Sequence, residues 1–180
     1  MSEPYTSNTI TPLFSAGAIE KRVSEIGKAI ANDFALVTPE CPLLLIAVLK
    51  GAFIFAADLL RTITIPCCID FVHASSYGSE KTSSGSVSIK HNLTITDRHL
   101  LIVEDIIDTG LTMQQITAEL LTMKPASLGI CTLLDKPEAR KHPVDITYTG
   151  FMVPDTFIVG YGIDYNEHYR ELPFLGVLNS

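Results

Sequence analysis

Val103-Glu104-Asp105-Ile106-Ile107-Asp108-Thr109-Gly110-Leu111-Thr112-Met113 runs from an apolar stretch into two acids, a glycine turn and the start of a helix. The apolar stretch is Leu100–Val103, and the helix is expected through Met113, Ile116, Leu120 and Met123, which share one face. Gly110 permits a tight turn, and the amides and hydroxyls of Thr109 and Thr112 open the helix. Such a start, with free N–H groups and two hydroxyls, is an anion cradle suited to one phosphate. Glu104 and Asp105 would repel that phosphate, so they suit a ribose diol or a hydrated magnesium ion. Asp108 stands between the two regions, placed to accept or donate a proton. The plainer alternative is an acidic helix N-cap that stabilises the macrodipole.

Working outward, apolar strands alternate with helical patterns. Ile19, Val23, Ile26, Ile30, Phe34 and Val37 recur at helical spacing from about Ser15 to Val37. Leu43–Leu49 is a continuous apolar run, the pattern of a strand covered on both faces. Lys50-Gly51 follows at once, then a short helix expected to bury Phe53, Ala56, Ala57 and Leu60. Further strands are expected at Cys67–His73, Leu128–Leu134, Asp145–Met152 and Phe157–Val159, with Val87–Leu93 as the return strand of a hairpin. Residues 1–14 read as a loose arm. Residues 74–86 are almost wholly small and polar, and a loop this long in a compact domain is usually a lid or binding loop. The pattern predicts one α/β domain, a mainly parallel twisted sheet flanked by helices, with ligands at the carboxyl ends of the strands.

Composition limits the partners. Of 180 residues, 47% are hydrophobic and 18% charged, so the chain is neither disordered nor a coiled coil. No apolar stretch approaches the roughly 18 residues of a membrane span, and the N-terminus lacks the pattern of a secretory signal. A cytoplasmic protein is expected. The net charge of −7, concentrated in residues 91–180, argues against nucleic acid or an anionic membrane as partner. Cys41, Cys67, Cys68 and Cys131 lack a C-x-x-C spacing and are expected as buried free thiols. Neither a P-loop nor a dinucleotide fingerprint is present, and the five histidines lack zinc spacing.

The Val103–Met113 string resembles the phosphoribosyl-pyrophosphate motif of the type I phosphoribosyltransferases. Leu49-Lys50-Gly51-Ala52, Ser75-Ser76-Tyr77-Gly78, Leu133-Leu134-Asp135-Lys136-Pro137 and Val159-Gly160-Tyr161-Gly162-Ile163-Asp164-Tyr165-Asn166-Glu167 are similar to the hypoxanthine-guanine branch of that family. In order and spacing these pieces cover roughly residues 15–178. Leu111 and Thr156 stand where some relatives carry lysine.

The resemblance implies a transfer of phosphoribosyl from phosphoribosyl pyrophosphate to a 6-oxopurine, in a homodimer or homotetramer. It implies that Glu104, Asp105, Asp108, Thr109, Gly110, Leu111 and Thr112 hold ribose and 5′-phosphate. Lys50, Gly51, Ser76, Tyr77 and Arg170 fall to pyrophosphate, with a cis peptide at Leu49-Lys50 and a lid at residues 74–86. Lys136, Phe157, Ile158 and Asp164 fall to the base, within a hood whose C-terminal part is residues 153–180. Magnesium would sit on Glu104, Asp105 and Asp164. Read singly, these residues have ordinary alternatives: a strand-to-helix turn at Lys50-Gly51, a solvated Lys136, a core Phe157, a surface ion pair at Asp164 and Arg170. A transferase for xanthine or a pyrimidine, or a nucleic-acid-binding regulator on this fold, are the competing functions.

Overall fold

The central strands are continuous apolar runs because each is covered on both faces. A computed structural model describes residues 9–76, 87–90 and 95–179. In chain order the strands are β1 (Thr9–Phe14), β2 (Leu43–Leu49), β3 (Cys67–Ser76), β4 (Val87–Lys90) and β5 (His99–Ile107). Then come β6 (Ser127–Asp135), β7 (Tyr148–Met152), β8 (Ile158–Val159) and β9 (Leu175–Asn179). The helices are α1 (Ala16–Asp33), α2 (Phe53–Thr62) and α3 (Leu111–Thr122).

One sheet has the order β4-β3-β2-β5-β6-β7, parallel throughout except for the edge strand β4. Along β2 the side chains alternate between two cores. Leu43, Leu45 and Ala47 pack with α1 and α2, while Leu44, Ile46 and Val48 pack with Met113, Ile116 and Leu120 of α3. A second, small antiparallel sheet, β1-β9-β8, forms the hood. No described helix is long and apolar enough to cross a membrane.

Several expectations are corrected. Residues 9–14 are not a loose arm: they form β1, whose partner β9 lies at the far end of the chain, beyond reach of local patterning. β8 belongs to the hood rather than the parallel sheet. The first helix stops at Asp33, and Phe34 instead packs edge-on against His99 at 5.8 Å. α2 buries Phe55, Ala56 and Leu59 and leaves Phe53 exposed, because Phe53–Leu60 is apolar almost all round and periodicity does not set its phase. β5 does not end at the acids. It stays paired with β6 to Ile107↔Asp135, whereas its pairing with β2 stops at Ala47↔Val103. Among the cysteines, all free, only Cys131 is buried; Cys41 lies in the exposed turn before β2. Of the expected lid, residues 74–76 finish β3, paired with β4, and residues 77–86, including Tyr77, lie outside the described residues.

Candidate active site

The parting of β2 from β5 after Val103 opens the crevice in which the acids sit. Glu104 and Asp105 lie on β5 past the last pair with β2, beside the turn that leaves β2 at Lys50-Gly51. The contact is close: a Cβ on Gly51 would run into the Asp105 carboxylate, which would have to swing aside. The Leu49–Lys50 peptide is cis. Glu104 is the buried member of the acid pair, 7% exposed, and its carboxylate accepts from the Asp105 N–H at 3.2 Å. Burial, and then the Asp105 charge, push the Glu104 carboxyl well above the ordinary glutamate range.

Beyond β5 the chain turns into α3. Gly110, at φ +86°, is the residue before the first turn of the helix, with its backbone pressed against the His142 carbonyl. Glu104, Asp108, Thr109, Gly110 and Thr112 line a recess of about 90 Å³. Asp108 and Thr112 are exposed. Leu111, half-buried, begins α3, and its N–H reaches the Thr109 hydroxyl at 3.5 Å. An acid beside helix-start amides and two threonines is a site for an anion with a proton-transfer group at its edge.

The opposite wall is the loop after β8, a series of tight turns with positive φ at Gly160, Tyr161, Gly162, Asn166, Glu167 and Tyr169. Gly162 packs on the Gly51 carbonyl, which a Cβ at Gly162 would strike. That contact draws the loop's charges to Lys50. Glu167 accepts from Lys50 Nζ at 2.8 Å and from Arg170 Nη2 at 3.2 Å, and Arg170 also pairs with Asp164 at 2.8 Å. The two cations hold the exposed Glu167 carboxyl below its ordinary range, Lys50 most. Asp164 accepts from the Glu167 N–H at 2.8 Å.

Lys136 leaves β6 with its N–H on the Ile107 carbonyl at 3.0 Å. Its side chain is 8% exposed and its ammonium lies 3.5 Å from the Asp155 carboxylate. Phe157 is exposed and meets Tyr165 edge-on at 5.4 Å, while Ile158 is buried in β8. Ser76 ends β3. Three participants escaped the sequence reading: Glu167, which bridges the two cations; Asp155, facing Lys136; and Arg140, which grips the β5–α3 turn. Glu167 closes the Gly-Tyr-Gly-Ile-Asp-Tyr-Asn-Glu block and was legible as motif but not as role. Arg140 carries no local signal.

A parallel sheet parted at two acids, an Asp-Thr-Gly turn into a helix and a charged loop facing them define a phosphoribosyltransferase. A phosphoribosyl transferase domain matches residues 13–166, and the chain belongs to that family. It is similar to the hypoxanthine-guanine phosphoribosyltransferase of Mycobacterium avium, 45% identical with 99% of this chain and 90% of that protein covered. The hypoxanthine phosphoribosyltransferase of Escherichia coli is 40% identical, with 94% and 95% covered. A crystal structure of a hypoxanthine-guanine phosphoribosyltransferase from Bacillus anthracis superposes with a TM-score of 0.87 at 41% identity, covering 97% of this chain and all of that one. A solved structure of a hypoxanthine phosphoribosyl transferase from Trypanosoma cruzi gives 0.90 at 40% identity, covering 99% and 95%.

Proposed function

We infer that this chain transfers the 5-phosphoribosyl group of phosphoribosyl pyrophosphate to hypoxanthine or guanine, releasing pyrophosphate and the nucleoside monophosphate, a purine-salvage reaction. The single observation that carries this reading is the recess at Asp108-Thr109-Gly110, set in a chain similar over nearly its full length to enzymes of that name.

The residue roles proposed here combine the family resemblance with the chemistry of each side chain. The N–H groups and hydroxyls of residues 108–112 hold the 5′-phosphate, and Asp108 takes or shares the N7 proton of the base. As the anomeric carbon loses pyrophosphate it becomes oxocarbenium-like, and Lys50 and Arg170 meet the departing charge beside the Gly51 backbone. Phe157 stacks on the base above Ile158, and Lys136 donates to its 6-oxygen. A role for Ser76 and Tyr77 at pyrophosphate, with water exclusion by residues 74–86, is proposed from the resemblance alone, since Tyr77 lies outside the described residues.

Magnesium is part of the proposal. The Glu104–Asp105 pair would hold one ion and Asp164 a second, each through hard carboxylate oxygens; Glu104 is buried and accepts from the Asp105 N–H. Among the described residues no three acids, histidines or cysteines form a metal-holding group. When bound, magnesium would supply neutralisation of the pyrophosphate charge. A cytoplasmic setting and a homodimer or homotetramer are part of the same proposal and rest on the family resemblance.

Pyrophosphate release against a panel of bases tests the function. Turnover with hypoxanthine and guanine is expected. Turnover confined to xanthine or to a pyrimidine would move the chain to another branch, and none with any base would remove it from the transferases.

A further inference from the structure

We propose that Arg140 is a positioning residue that sets the orientation of the phosphate-binding turn by holding its carbonyls from behind. This rests on the reading of residues 108–112 as the 5′-phosphate cradle and names what aligns it.

The carbonyls of Ile107, Asp108 and Thr109 all turn toward the segment after β6. Ile107 accepts from the Lys136 N–H at 3.0 Å and from Arg140 Nη2 at 3.2 Å. Asp108 accepts from Arg140 Nε at 2.9 Å. Thr109 accepts from the N–H groups of Lys141 and His142, at 3.0 and 2.9 Å. A trans peptide is planar, with its N–H opposite its C=O. Carbonyls drawn to residues 136–142 therefore aim the N–H groups of Asp108, Thr109 and Gly110 the other way. The recess lies on that side, since residues 136–142 do not line it.

Arg140 suits this work because its planar fork engages several acceptors at once, which a lysine point charge does not. A third acceptor, the Asp135 carboxylate, anchors the guanidinium, and both side chains are largely buried, 16% and 14% exposed. Asp135 is the residue before Lys136 and pairs with Ile107 across β5 and β6. The same contacts thus join the phosphate side of the site to the base side. Gly110 completes the fit: a Cβ there would lie 2.9 Å from Arg140 Cδ.

The test compares guanosine 5′-monophosphate with guanosine by calorimetry on the full chain, in wild type, Arg140→Met and Arg140→Lys. Arg140→Met should weaken the monophosphate roughly 10–100-fold, the worth of one or two charge-assisted hydrogen bonds, and leave guanosine nearly unchanged. Arg140→Lys should lie between, because charge returns without the fork. Equal loss for both ligands would mean general disruption and overturn the proposal. Full recovery in Arg140→Lys would reduce the effect to charge and overturn it too. If Arg140→Met does not fold, Arg140→Lys decides alone: a wild-type preference for the monophosphate sinks the idea. A wild-type protein that binds both ligands equally would overturn the cradle itself, a result separate from any Arg140 effect.

Discussion

Lys50 and Glu167, 117 positions apart, meet in an ion pair of 2.8 Å, and Glu167 is shared with Arg170. Glu167 therefore bridges the two cations proposed above for pyrophosphate. On that proposal, an incoming diphosphate takes over these positive charges from Glu167.

Removing that competitor should tighten pyrophosphate. Both partners are more than half exposed, so the pair contributes little to folding. Glu167→Gln is expected to improve pyrophosphate affinity by about two- to fivefold, the scale of an exposed ion pair, with its melting temperature close to wild type. Titration calorimetry at low salt measures it. A tenfold loss instead would show that Glu167 presents the cations rather than competing for them.

Asp108 is exposed at the edge of the recess with its carbonyl bound by Arg140. Asp108→Asn keeps the shape and removes the proton acceptor. Turnover should fall roughly 10²–10⁴-fold, the usual worth of general acid–base catalysis, while nucleotide binding stays largely intact. Near wild-type turnover would take Asp108 out of the mechanism.

What the sequence made legible was local. β2 announces itself by seven apolar residues in a row, and the acid–turn–helix string from Glu104 to Thr112 is contiguous, so its parts meet wherever the chain goes. Glu167 reaching Lys50, Arg140 reaching back 32 positions to Asp108 and β1 pairing with β9 are products of the tertiary fold, and no periodicity encodes them. The phase of α2 was lost for the opposite reason. Its apolar residues were too many to mark one face.

Glu104 carries a pH signature. Its carboxyl is raised by burial and by Asp105, so the folded protein keeps this proton where the unfolded chain has released it. The unfolded value is about 4.3. Stability from this group is therefore full below that pH and is lost as pH rises through the folded value. Glu104→Gln stays neutral and retains an oxygen for the Asp105 N–H. Without magnesium, its melting temperature should exceed wild type at neutral pH by a few degrees, and the gap should close toward pH 4. A pH-independent gap would refute the burial of a charge as its cause.

Lys136 is where the choice of base should be made. Its ammonium is almost fully removed from water, and the Asp155 carboxylate beside it lies at the 3.5 Å limit of a hydrogen bond, with its own side chain 62% exposed. A buried cation so loosely met gains from a further acceptor. Hypoxanthine and guanine present an oxygen at position 6, whereas adenine presents an amine. An ammonium has donors only, so adenine sets donor against donor. Leaving a buried polar group unpaired rejects the wrong ligand by as much as ~10⁴-fold in favourable cases. Phe157, exposed beside Tyr165, would stack on any purine without discriminating. Lys136→Met keeps much of the stem and removes the charge. It should cost hypoxanthine roughly 10–100-fold in affinity, the worth of a charged hydrogen bond, and narrow the gap to adenine. Phosphoribosyl pyrophosphate should be affected far less. Steady-state constants for both substrates, with both bases, decide the matter: weakened phosphoribosyl pyrophosphate with unchanged base preference would place Lys136 in the phosphate site.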